Sequence, residues 1–283
     1  MNGTMRNIAL TAGILLFPTM MFAAEGRFEK TLPAGAGLVA SVSTGSGFIH
    51  IVPSSSNEVH IIGHVHASHG WMGGGSDEDV KEVSANPPID VSGSTIRIGG
   101  RNEGAYRHVS IDYEITAPYS SQWKASTGSG DIKVSGVAAN KLETGSGEIE
   151  ANNVTGDSVL NTGSGDITVA FSKSGFVTAE TGSGSIHLEN IQGRLKAQTG
   201  SGDIKVTGKP GEDWKLETGS GSINLGVGTS PLTLDAESGS GSITTKQDLT
   251  THGSSNKHHV TGNINGGGPM VKAETGSGDI KLD

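Results

Sequence analysis

The chain has 283 residues, 45 of them glycine, no cysteine and a formal net charge of −9. An acidic chain without basic clusters excludes nucleic acid and anionic lipid surfaces as simple electrostatic partners. The absence of cysteine excludes disulfides and a lipid-modified amino-terminal cysteine. Aromatics are only 4% of the chain, so any core must be built of Ile, Val, Leu and Ala.

Residues 1–24 read as a secretory signal. Arg6 is followed by a mostly apolar run over 8–17, then by Pro18 and a segment ending in Ala23 and Ala24. The apolar run is short for a bilayer span, so stable membrane insertion is not expected. This predicts an exported protein that is periplasmic, cell-surface or secreted.

Residues 25–123 predict an irregular all-β part, with alternating strands over 59–66, 94–98 and 108–116. A polar, glycine-rich loop is expected over 70–79. The predicted task of this part is to cover the open edge of the region that begins at residue 124. In it His60, His64 and His66 fall on one strand face, with His69 nearby. Such a row can bind zinc, copper or nickel through imidazole, which makes these three the candidate metal ligands. No acid beside them in sequence orients the rings, and a solvent-facing polar row opposite Val59, Ile61 and Val65 accounts for them equally well.

From residue 124 onward a phrase repeats. Thr-Gly-Ser-Gly, then a polar residue and Ile, begins at Thr127, Thr144, Thr162, Thr181, Thr199, Thr218, Ser238 (with Ser for Thr) and Thr275, with an outlier at Thr44. The steps from Thr127 to Ser238 are 17, 18, 19, 18, 19 and 20 residues, and the last is 37. Thr261-Gly262-Asn263-Ile264 reads as a degenerate copy inside that long step. A fixed period near 18 with a glycine corner predicts a solenoid.

Five residues after each Thr stands Ile: Ile132, Ile149, Ile167, Ile186, Ile204, Ile223, Ile243 and Ile280. Val134, Val169, Leu188 and their equivalents follow two residues later, the period-2 pattern of a half-buried strand. A second apolar column lies two and four residues before the Thr. Val137, Val154, Phe171 and Ile191 suggest a third, shorter face. The fold class expected is all-β: a parallel β-solenoid of about 18-residue coils, right-handed by the crossover rule. Gly at the corners is expected to supply positive φ and a sharp bend. The last strand, ending at Asp283, predicts an uncapped edge, open either to end-to-end self-association through the C-terminal coil or to blocking of such pairing by its flanking charges.

The repeated phrase, with the preceding segment His108 to Pro118, resembles a bacterial family of candidate adhesins of unknown function with a β-solenoid fold. The resemblance covers roughly residues 40–283. It implies an exported, glycine-rich β-solenoid and suggests surface interaction; it carries no catalytic residues.

Just before each Thr an outward column is expected: Glu143, Asn161, Glu180, Gln198, Glu217 and Glu237, then Glu274. Interposed amides separate like charges, and Lys141, Lys196, Lys215 and Lys272 offset them. This column is the candidate ligand-binding ladder, for a glycan or a surface protein; its alternative reading is a solvated, charge-managed face. A second polar column follows the corner, from Asp131 to Asp279, but with Ser at three copies it is a poor calcium repeat. No catalytic motif and no cofactor site can be placed. The expected function is a non-catalytic binding or envelope scaffold. The alternatives are a polysaccharide-active enzyme using a carboxylate pair such as Glu217 and Glu237, and a periplasmic metal-binding protein using the His row.

Overall fold

The computed structural model describes residues 25–35, 37–68, 74–251 and 256–283. The segment read as a signal, residues 1–24, and His69 lie outside them. The regular elements of the described residues are all strands but for one α-helix and one 3-10 turn.

In chain order the amino-terminal strands are β1 (Glu25–Pro33), β2 (Val39–Thr44), β3 (Ile49–Ser54) and β4 (Glu58–Ala67). Helix α1 (Asp77–Ala85) follows, then β5 (Ile89–Ser92), β6 (Thr95–Gly99), β7 (Val109–Pro118), β8 (Gln122–Thr127) and β9 (Ile132–Ser135). The regular repeats hold β10 (Ala138–Thr144), β11 (Ile149–Thr162), β12 (Ile167–Thr181), β13 (Ile186–Ile191), β14 (Leu195–Thr199), β15 (Ile204–Gly208), β16 (Trp214–Thr218) and β17 (Ile223–Gly226). The carboxyl-terminal strands are β18 (Leu232–Ser238), β19 (Ile243–Thr245), β20 (Leu249–Thr251), β21 (His259–Ile264), β22 (Met270–Thr275) and β23 (Ile280–Leu282).

Each coil contributes one strand before its corner and one after. The strands before the corner stack in parallel as β6, β2, β8, β10, the end of β11, the end of β12, β14, β16, β22 and β18. Those after it stack as β7, β3, β9, the start of β11, the start of β12, β13, β15, β17, β23 and β19. The Ile column is in register from Ile49 through Ile132, Ile149, Ile167, Ile186, Ile204 and Ile223 to Ile280, and these side chains are buried. The return column of Val137, Val154, Phe171 and Ile191 is buried as well. One apolar core therefore runs from Phe28 to Leu282, and the pairing of β2 with β8 carries it across residue 124.

The repeated Thr is nearly buried and closes its own corner. Thr181 Oγ1 donates to Gly165 O of the preceding coil at 2.9 Å and accepts from Gly184 N at 3.2 Å. The same pair of bonds recurs at Thr144, Thr162, Thr199, Thr218 and Thr275. Thr181→Val will orphan a buried amide and a carbonyl, and it will cost about 2 kcal/mol where Thr181→Ser costs under half of that. Urea denaturation followed by circular dichroism reads the difference; equal midpoints for Val and wild type would show the hydroxyl to be idle.

The corner glycines depart from expectation. None of them has positive φ. Their reason is close approach: a Cβ on Gly147, Gly184 or Gly202 would overlap the glycine carbonyl of the preceding coil. Stacked corners leave no room for a side chain, so glycine is required by the neighbour and not by the bend.

Both ends of the stack depart from chain order. The last coil, β22 and β23, lies between the Thr218 coil and the Ser238 coil: Trp214 and Leu234 both face Val271, and Ile223 and Ile243 both face Ile280. The uncapped final edge expected from the sequence is thus absent, and with it the premise for end-to-end association through that coil. The 37-residue step is not two coils. Thr261 to Ile264 belong to β21, which runs antiparallel on β18 and, with β20, covers that edge. At the other end the first coil, β2 and β3, lies between the β6–β7 coil and the β8–β9 coil.

The amino-terminal edge is covered by β5 antiparallel on β6 and by β4 and β1 antiparallel beyond β7. Helix α1 lies against β1 and β4 and buries Val80 and Val83. It replaces part of the expected loop. Ser76 accepts from Asp79 N, and the Asp79 carboxylate accepts from Ser76 N, a reciprocal cap that starts the helix.

Candidate functional site

The ladder forms on the outer face of the strands before the corner. Glu143, Asn161, Glu180, Gln198 and Glu217 stand directly opposite one another on successive coils. Their spacing is about 4.8 Å, the separation of paired strands. The amides have a purpose beyond dilution of charge: Asn161 donates to Glu143 at 3.3 Å, and Gln198 donates to Glu217. Lysines pair along and across the strands, with Lys141 on Glu143 at 2.8 Å, Lys196 on Glu180 at 2.7 Å and Lys215 on Glu217 at 2.6 Å.

Beyond Glu217 the spatial order differs from the chain order. Glu274 comes next, paired with Lys272 at 2.6 Å, and Glu237 lies beyond it. Three carboxylates therefore stand on adjacent strands with no amide between them. Gln198, Glu217, Glu274 and Glu237 line an open groove of about 520 Å³, floored by Gly219, Gly276 and Gly239. The Glu217–Glu237 pair considered for glycoside hydrolysis is not a neighbouring pair, since Glu274 separates the two. The hydrogen bond from Lys215 holds the Glu217 carboxyl below the usual carboxylate range, helped by Gln198 and Glu274 against partial desolvation. A general acid needs the opposite shift.

The column after the corner is occupied with the stack itself. The carboxylates of Asp131, Asp166, Asp203 and Asp279 accept the backbone N–H of Glu148, Ser185, Ser222 and Ser242 on the adjoining coil, at 2.7–2.9 Å. Ser185 and Ser222 accept in the same way from Asp203 and Asp279 at 3.4 Å. Asp and Ser alternate here because either supplies the oxygen. The bond from Ser242 holds the Asp279 carboxyl below its ordinary value.

The histidine row is real but dispersed. His60 Nδ1 meets Thr31 Oγ1 at 3.1 Å and its Nε2 lies 3.4 Å from Glu29. His64 lies 3.7 Å from Glu114, and His66 lies 3.1 Å from Asp112. The acids missing beside them in sequence are thus supplied by β1 and β7, the strands on either side. Each imidazole faces a different carboxylate. Among the described residues no group of three or more His, Cys, Asp or Glu is disposed to hold a metal ion.

These titrating groups set a pH profile. Asp79, Glu150, Glu217 and Asp279 have lowered values, through hydrogen bonds from Ser76, Lys133, Lys215 and Ser242 respectively. The native state then binds fewer protons than the unfolded chain, so their stabilisation is complete above the ordinary carboxylate range and is lost as pH falls through it. Lys133 and Lys272 are raised by Glu150 and Glu274, so their contribution is present below the ordinary lysine value and is lost above it. The urea midpoint will fall as pH drops below about 5 and again as it rises above about 10. A midpoint still constant at about pH 3 would contradict the carboxylate assignments.

The chain resembles several solved proteins of low identity. An adhesin candidate from Bacteroides fragilis NCTC 9343 is 14% identical with a TM-score of 0.46, over 91% of this chain and 97% of that one. A candidate cell adhesion protein from Clostridium sporogenes ATCC 15579 is 16% identical with a TM-score of 0.27, over 91% and 98%. An adhesin candidate from Parabacteroides merdae ATCC 43184 is 11% identical with a TM-score of 0.29, over 91% and 96%. No curated protein matches. The Toastrack DUF4097 family profile matches residues 83–283, most of the chain, and the chain belongs to that family.

Proposed function

We propose that this chain is a non-catalytic, exported β-solenoid that holds a glycan or a surface protein against its carboxylate–amide ladder. The observation that carries the reading is the in-register row of polar side chains ending in the open groove of Gln198, Glu217, Glu274 and Glu237. Repeated acceptors at strand spacing suit a ligand that is itself periodic or rich in donors. The family and the export-type amino terminus agree with an envelope or surface location. The lowered Glu217 carboxyl speaks against Glu217 as a general acid in the groove.

The test is a glycan-array and surface-protein screen with the purified chain, repeated with Glu217→Gln, Glu274→Gln and Glu237→Gln combined. The reading expects a ligand whose binding falls at least tenfold in the triple variant. Binding unaffected by the three changes would remove the ladder from the function. Antibody and protease access on intact cells decides between surface contact and a periplasmic scaffold.

A further inference from the structure

A second concavity does not belong to the repeat. In the regular coils each corner is covered by the next. The outermost amino-terminal coil has no such corner: β6 and β7 are joined by residues 100–108, which begin after Gly99 and include a 3-10 turn, Gly104–His108. Gly99 and Gly100 take φ of +74° and +76°, a left-handed pair that swings this loop away from the stack. In the corner beneath, Thr44 Oγ1 still donates to Ile111 O at 2.7 Å, but Gly45 is left open. A Cβ on Gly45 would have nothing within 4 Å, whereas one on Gly128, the same position of the next coil, would overlap the Gly45 carbonyl. Where a further corner would stack there is instead a pocket of about 400 Å³.

The pocket is unlike the rest of this acidic surface. Arg101 and Arg107 line it together with Ser43, Ser46, Ser68 and Asn102. Arg101 is fixed: its guanidinium lies over the Tyr106 ring, donates to Tyr106 Oη at 3.3 Å and pairs with Asp90 at 2.9 Å. Tyr106 is itself anchored, donating to Asn86 O at 2.8 Å. Arg107 has no ion pair or hydrogen bond among the described residues. Tyr113 also lines the pocket, fully buried, and its hydroxyl has no partner among the described residues. Burial pushes that phenol well above its ordinary value, so it stays neutral. A buried orphan hydroxyl is rare enough in folded proteins to need a reason.

We propose that this pocket binds a small polyhydroxylated oxyanion, the chemistry shared by acidic sugars and sugar phosphates. Arg107 pairs with the anion, as guanidinium does with carboxylate or phosphate. The serine and asparagine side chains take the ligand's hydroxyl groups. The site lies at the opposite end of the stack from the three-glutamate groove, so it stands or falls independently of the ladder.

The test is titration calorimetry on the full chain with glucuronate, glucose 6-phosphate, inorganic phosphate and glucose. The expected result is binding of glucuronate or glucose 6-phosphate at least tenfold tighter than glucose and inorganic phosphate. Which of the two binds identifies the source. Arg107→Gln, on an exposed side chain, will weaken that binding at least tenfold. Gly45→Ala will do the same by placing a methyl group in the pocket while sparing the stack. Glu217→Gln will leave it unchanged. No binding by either acid, equal binding of glucose or of inorganic phosphate, or binding indifferent to Arg107→Gln or to Gly45→Ala would each overturn the proposal.

Discussion

Gly202→Ala will cost the fold about 4 kcal/mol or more, while Gly45→Ala will be within about 0.5 kcal/mol of wild type. The added carbon at 202 would overlap the Gly184 carbonyl and crowd Ser185 N, all backbone atoms. Backbone cannot rotate aside as a side chain can, so the coils must part, and parting breaks the ladder of inter-coil hydrogen bonds on both sides. At 45 the space is open and the backbone is not left-handed. Conformational entropy alone therefore decides the second result. Both changes alter a Gly of the same four-residue phrase, so propensity arguments treat the two alike. Chemical denaturation of the two variants side by side is the check. A mild effect at 202 would mean that the corners flex enough to admit a methyl group.

Deleting residues 268–283 will cost more than the loss of one coil, because it also separates the Ser238 coil from the rest of the stack. Among the described residues they supply the only parallel neighbour of both β18 and β19, and the next neighbour of β16 and β17. At single-residue scale, Ile280→Ala and mid-stack Ile204→Ala will each cost about 3 kcal/mol, and Ile243→Ala about 1 kcal/mol. Ile280 is almost wholly buried between Ile223 and Ile243, whereas Ile243 lies on the outermost coil and is part exposed. Amide exchange supplies a second reading: Ile280 N, bonded to Ser242 O at 2.9 Å, will be protected to the level of mid-stack amides. Rapid exchange there would place the last coil at the edge after all.

What the sequence made legible was local and periodic. The Ile column, the strand before each corner and the return column could be read because inward positions recur every second residue, and the structure buries them. The reason for the corner glycines could not be read, because it lies in the neighbouring coil rather than in the residue itself. The order of coils was hidden for a related reason. Every corner presents the same Gly-Ser-Gly surface, so any coil fits beside any other, and chain order alone does not choose. That concealed the Glu217–Glu274–Glu237 run, though all three residues were in view. The acids facing His60, His64 and His66 were likewise distant in sequence, on β1 and β7. Helix α1 was legible and missed: Ser76 followed by Asp79, with Val80 and Val83 one helical step apart, is a start signal within a region that its glycines made look like loop.

The intercalated last coil also imposes a sequence of events. A chain leaving a ribosome or a translocation channel amino terminus first can stack its regular coils as they emerge. The Ser238 coil cannot. Its parallel partner is made of residues 270–282, which come later, so residues 232–245 must wait with β18 paired only to the antiparallel β21, or lodge against β16 and β17 and then be displaced. Closure of the stack is thus a late event, completed by β22 and β23. A cleavage that loses β22 and β23 leaves the β18–β19 coil without the parallel neighbour that joins it to β16 and β17.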